Sequence, residues 1–247
     1  MKLARIIQTA HRWLGLILAV QVLLWMASGL IMSWFELGLV RGEKNAITVF
    51  APELELRSYA NPGGVIAQSP GATSVRLRSF LERPVYEVAG EDGAAMYDAA
   101  TGAKLSPISE DTARRVARRD FIGDGKIVRM DLLTSPPREY GRAGPVWRAT
   151  FDDGLKTHLY ISPDTGDVIA RRNKVWRLYD FFWMLHIMDY DERKNFNNPL
   201  LRIAAATGFL FALTGFYLVV VDFTRGRFLP NGRRRRDSVT GDDARTE

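Results

Sequence analysis

Pro84-Val85-Tyr86-Glu87-Val88, a turn at Glu91-Asp92-Gly93, then Ala94-Ala95-Met96-Tyr97 and a second turn Asp98-Ala99-Ala100-Thr101-Gly102: this stretch decides the fold. An Asp-Gly pair between two β-like runs is a strong hairpin signal. Another β-like run, residues 74–81, precedes it. The same grammar returns in Pro145-Val146-Trp147-Arg148-Ala149-Thr150-Phe151, Asp152-Asp153-Gly154, Lys156-Thr157-His158-Leu159-Tyr160-Ile161 and Ser162-Pro163-Asp164-Thr165-Gly166. The Asp-Gly pairs lie 61 residues apart and the Thr-Gly pairs 64 apart, so the region reads as a duplication whose second hairpin is slightly longer. Between the copies, Ser109 suits an N-cap, with Glu110 and Asp111 in the first turn of a helix. Arg114, Arg115, Arg118 and Arg119 then fall on one basic stripe, either a solvated face or a dock for an anionic partner. Each unit is read as a helix followed by an antiparallel sheet, with residues 64–68 as the first unit's candidate helix.

On either side lies membrane-like sequence. Residues 13–35 run 23 positions without a charge, which as a helix spans roughly 35 Å, enough to cross a bilayer with some tilt. Residues 203–221 are a second charge-free run of 19, about 28 Å long. Trp13, Trp34 and Phe35 mark the ends of the first run as an aromatic belt does. A cleaved signal peptide fits poorly, because the apolar stretch is too long and no small-residue cleavage site follows. An uncleaved anchor is expected. Lys2, Arg5 and Arg12 precede the first helix; Arg225, Arg227 and residues 233–236, all Arg, follow the second. The positive-inside rule therefore puts both ends in the cytoplasm.

The chain has 247 residues, a net charge of +6 and no cysteine. Residues 36–202 are nearly balanced at +1, so most of the positive excess sits in the flanks and reads as a topology label, not a nucleic-acid footprint. Without cysteine this sequence has no disulfide, thiolate zinc site, iron–sulfur cluster, covalent c-type haem or thiol nucleophile. No Ser-His-Asp set, Gly-rich phosphate loop or H-E-x-x-H is visible.

The string Val85-Tyr86-Glu87-Val88 … Tyr97-Asp98-Ala99-Ala100-Thr101-Gly102 resembles a PepSY domain. The flanking helices, with Ser28-Gly29, Thr214-Gly215 and the opening His11-Arg12-Trp13-Leu14-Gly15, resemble the PepSY-associated transmembrane family. The expected fold is α+β: two transmembrane helices flanking a periplasmic domain built from two PepSY-like helix-plus-antiparallel-sheet repeats. The expected division is a cytosolic N-terminus at 1–12 and transmembrane helix 1 at 13–35. The duplicated periplasmic domain follows at 36–175, then an interfacial amphipathic helix and turn at 176–198. Transmembrane helix 2 at 199–222 and a basic, disordered cytosolic tail at 223–247 complete it. The resemblance implies residence in a bacterial inner membrane.

Members of that family include ferric-siderophore reductases, which hold haem b on histidines and pass electrons across the membrane. The resemblance therefore makes His11 and His186 candidate axial ligands of haem b. Neutral imidazole suits haem iron, and a histidine at a membrane helix is a functional hypothesis by default. The two lie at opposite faces, roughly 30 Å apart, so one haem in a monomer cannot use both. A two-fold dimer would pair His11 with His11 and His186 with His186. The bland alternatives are headgroup contact for His11 and packing against Phe182 and Trp183 for His186. His158 reads as a strand surface residue. Asp189, Asp191 and Glu192 resemble a cation site but sit beside Arg193 and Lys194, which they balance.

Three functions stay open. One is haem-linked electron transfer in iron or siderophore uptake, by a reductase or its electron-transfer component; this is the favoured reading. The second is a non-catalytic module that regulates a peptidase or binds a periplasmic protein. The third is an accessory subunit of a membrane complex. Expected partners are the lipid bilayer, a second copy or larger membrane complex, and a periplasmic protein; nucleic acid is not among them. Gly208 and Gly215, seven apart on one face, permit close helix approach.

Overall fold

The computed structural model describes residues 2–47, 58–91 and 93–225. The basic tail beyond Arg225 and Asp92 of the first hairpin turn lie outside them. The chain forms two compact units, Ser28–Met184 and a second one of Met1–Ala27 with Leu185–Glu247.

In the first unit, a short helix α2 (Leu37–Val40) leads to α3 (Pro62–Ile66) and a three-stranded antiparallel sheet, β1 (Ala72–Phe80), β2 (Arg83–Gly90) and β3 (Gly93–Asp98), in that order. Helix α4 (Glu110–Asp120) opens the second copy. It precedes a four-stranded sheet of β4 (Ile127–Leu133), β5 (Val146–Phe151), β6 (His158–Ile161) and β7 (Val168–Arg172), again in sequence order. Helix α5 (Lys174–Ile187) follows.

Alternation decides the faces. Tyr86, Val88 and Tyr97 turn to one side of the first sheet and pack on Val65 of α3. Val85 and Met96 turn to the other and join Ala113, Val116 and Ala117 of α4 with Ala149, Phe151, Leu159 and Ile161 of the second sheet. The larger core is thus shared by both repeats. Helix α4 starts where expected: Ser109 Oγ accepts the Thr112 N–H at 3.3 Å.

The duplication holds at the level of single atoms. Asp98 Oδ1 accepts the N–H groups of Ala100 and Thr101, both at 2.9 Å, and Gly102 closes the turn at φ 75°. In the second copy Ser162 Oγ takes that place, accepting from Asp164 and Thr165 at 3.2 Å, and Gly166 sits at φ 70°. After its turn the second copy adds the full strand β7. The first copy makes only a single bridge there, Tyr97 to Lys104. Arg78 joins the copies: it pairs with Glu87 at 2.6 Å and with Asp167 of the second turn at 3.3 Å, and donates to the Thr165 carbonyl.

The other unit holds α1 (Lys2–Trp34) as far as Ala27, paired with α6 (Pro199–Thr224). Both are long and apolar enough to cross a membrane. The inward positions of α1 alternate at steps of four and three: Ile7, His11, Leu14, Leu18, Gln21, Trp25. Those of α6 do likewise: Leu201, Ala204, Gly208, Phe211, Gly215, Leu218. This seam is that of a left-handed helix pair. The glycines of α6 face the large rings of α1 in the same chain. A Cβ on Gly208 would lie 3.7 Å from Trp25, and one on Gly215 would lie 3.1 Å from His11 Cε1. The remaining faces expose large apolar side chains such as Ile17, Phe209 and Phe216, as lipid contact requires.

Candidate functional site

His11 sits in the α1–α6 seam, half-buried. Its ring stacks on Phe211, centroids 4.2 Å apart and planes 6° from parallel. Its Nδ1 lies 2.9 Å from Thr214 Oγ1. That hydroxyl also donates to the Phe211 carbonyl at 2.8 Å. A hydroxyl has one proton, so towards His11 it accepts, and Nδ1 is the donor. The hydrogen-bond pattern therefore assigns neutral His11 the Nδ1–H tautomer, with the lone pair on Nε2. A fixed ring with one nitrogen anchored by a hydrogen bond is the arrangement metal-binding imidazoles use. An imidazole held this way would suit a haem iron as ligand.

His186 stands near the C-terminal end of α5, half-buried, and its carbonyl accepts from Trp25 Nε1 at 2.9 Å. Trp25 is fourteen residues beyond His11 on the same helix, which is about 21 Å along the axis. The two imidazoles are not brought together, so within one chain each level offers a single histidine.

The turn after α5 is organised by Asp189. Its carboxylate accepts the N–H groups of Glu192, Lys194 and Asn195 at 3.3, 2.9 and 2.9 Å, which hold it below the usual carboxylate range. It is thus engaged by main-chain donors, and no group of three metal-ligating side chains occurs among the described residues. Asn198 caps α6 by accepting from Leu201 N at 2.8 Å, and its amide donates to the Ile187 carbonyl at 2.9 Å.

A dense polar cluster lies in the two-sheet unit, around Glu139, which the sequence did not single out. Oε1 accepts from His158 Nδ1 at 2.7 Å and Tyr160 Oη at 2.6 Å, and Oε2 from Arg177 Nε at 2.8 Å. Burial alone would raise its pKa. The donors His158, Arg177 and Tyr160 outweigh that and hold it well below the usual range. Burial and the same carboxylate push the Tyr160 phenol up, so it stays a donor. Arg172 donates to the Glu139 carbonyl at 2.6 Å and stacks over Trp176 at 4.2 Å. A carboxylate this saturated with donors is no general base. It ties the 3-10 turn Arg138–Tyr140 to β6 and to the first turn of α5. His158 is therefore half-buried and engaged, not a free surface residue.

The arginine stripe of α4 is only partly balanced: Arg114 pairs with Glu110 at 2.7 Å and Arg119 with Glu82 at 3.2 Å.

A family profile described as PepSY-associated TM region matches residues 8–239. No curated protein and no solved structure matches the chain.

Proposed function

The chain belongs to the PepSY-associated transmembrane family, and we propose that it serves as an inner-membrane electron-transfer component carrying haem b in iron or siderophore uptake. Both termini are then cytoplasmic and the duplicated domain periplasmic, as the flanking charges favour. The observation that carries the reading is the Thr214 hydroxyl, which commits the His11 Nδ1 proton and leaves the Nε2 lone pair to bind a metal. Bound there, haem supplies the one-electron carrier that the side chains of this chain lack. His11 binds from the α1 side, Phe211 fixes the plane of its ring, and Gly215 leaves room for it. His186, at the end of α5, lies beside Trp25, about 21 Å along α1 from His11, so a second copy would have to supply the second imidazole; His186 is the corresponding candidate at the other level.

Absorbance tests this directly. Protein solubilised from haem-replete cells shows a bis-histidine Soret band, and His11→Ala abolishes or shifts it. Thr214→Val, which removes the hydrogen bond but not the ligand, lowers haem affinity by about tenfold or more. A colourless wild type, or a spectrum indifferent to His11→Ala and His186→Ala, overturns the reading.

One observation favours a second reading, a non-catalytic interaction module. Strand β1 is nine residues long and, among the described strands, pairs with β2 alone, so its other edge is a place where a strand could be added. A colourless protein that co-purifies with a periplasmic partner would support it.

A further inference from the structure

The tip of the β1–β2 hairpin lies against α4, and beside it opens a small pocket of about 100 Å³. Its floor is Val85, Met96 and Ile108, all buried, and Leu105 forms a wall. Its rim carries two exposed guanidiniums, Arg83 from the start of β2 and Arg115 from α4. Among the described residues no carboxylate lines it. The nearest acid on the hairpin tip, Glu82, is paired with Arg119. The pocket sits where the first repeat stops short: the second repeat continues into β7, whereas the first makes one bridge at Lys104 and turns away, with Leu105 N–H bonded back to the Met96 carbonyl at 2.7 Å.

From this we infer that the pocket is a peptide-recognition site for a branched aliphatic side chain next to a carboxylate, most simply the C-terminal leucine or valine of a protein chain. The inference deepens the interaction-module reading and rests on it. Size argues for a single side chain: an apolar cavity of about 150 Å³ holds benzene, so one of about 100 Å³ takes a smaller aliphatic group. Charge argues for the carboxylate. Neither guanidinium faces an acid in the pocket; Arg115 Nη2 donates to Thr112 Oγ1 at 3.2 Å, and the remaining donors suit the charge-assisted hydrogen bonds that Arg geometry favours. Arginine clusters capture acidic motifs elsewhere.

The test uses the full chain in nanodiscs of zwitterionic phosphatidylcholine and a fluorescent Gly/Ser peptide ending in leucine with a free carboxylate. Saturable binding is expected. Amidating the carboxylate, or replacing the leucine by glycine, weakens it at least tenfold. Arg83→Ala and Arg115→Ala each do the same with an unchanged melting temperature, and Arg83→Lys recovers part of the affinity. Three results overturn the site: equal binding of the amidated peptide, binding untouched by both arginine variants, or no peptide binding while the chain binds phosphatidylglycerol vesicles through the same arginines. A partner that still co-purifies with the double arginine variant shows that the pocket has failed and the module reading has not. If neither peptide nor partner binds, both fail.

Discussion

Gly166→Ala lowers the stability of the two-sheet unit by about 3 kcal/mol, whereas Gly102→Ala, at the equivalent turn of the first repeat, lowers it by only about 1 kcal/mol. Both glycines hold left-handed backbone, at φ 70° and 75°. An added Cβ therefore costs both of them on the order of 1 kcal/mol in backbone strain. The surroundings differ. At Gly102 the new methyl meets Ala60 at 3.6 Å and Val65 at 3.9 Å, which is ordinary contact. At Gly166 it would lie 2.3 Å from Phe80 Cε2 and 2.5 Å from Cζ. Phe80 packs against the shared core, so its ring moves only by disturbing that core. Urea melts of the two variants measure the difference. Equal losses would mean that Phe80 yields freely and that the contact between the repeats is loose.

Glu139→Ala has a comparable effect, about 3 kcal/mol, by leaving Arg177, Tyr160 and His158 with unanswered donors. The Glu139 side chain is 17% exposed, which puts the cost at the low end for a broken buried pair. Glu139→Gln keeps the shape and costs less. The pH dependence follows from the direction of the shift. The folded carboxyl titrates below its ordinary value of 4.5, so its contribution is full above pH 4.5 and is lost as pH falls below it. Melting temperatures measured downward from pH 5 drop more steeply for the wild type than for Glu139→Gln. Parallel curves would show that the carboxylate is not held in its charged form.

Much of this molecule was legible from sequence because its signals are local. Asp-Gly and Thr-Gly turns announce hairpins wherever they occur, and 23 uncharged residues announce a span. Ser109 with two following acids marks a helix start, and α4 begins there. The missed strands are β4 and β7. A bulge between Ile127 and Arg129 breaks the period of two in β4, and β7 is short and ends in two arginines. His11 could be singled out from sequence as a candidate, since a histidine at a helix of this kind stands out. Its partners were not. Phe211 and Thr214 meet His11 only because α1 and α6 pair, some two hundred residues apart in sequence. Glu139 lies in the Pro-Pro-Arg-Glu-Tyr loop, where no periodicity exists to read. The two glycines of α6 suggested helix approach, and the approach they serve is that of α1 in the same chain.

Everything proposed for function rests on the two helices crossing the bilayer, with the sheets on its outer side. The absence of native cysteine makes single-cysteine labelling clean. Ala100→Cys places a thiol at the exposed first-repeat turn, and Ser238→Cys places one in the C-terminal tail. In intact bacterial spheroplasts, a membrane-impermeant maleimide is expected to label position 100 at once and position 238 only after permeabilisation. Labelling of both positions from outside, or of position 238 alone, would contradict the account.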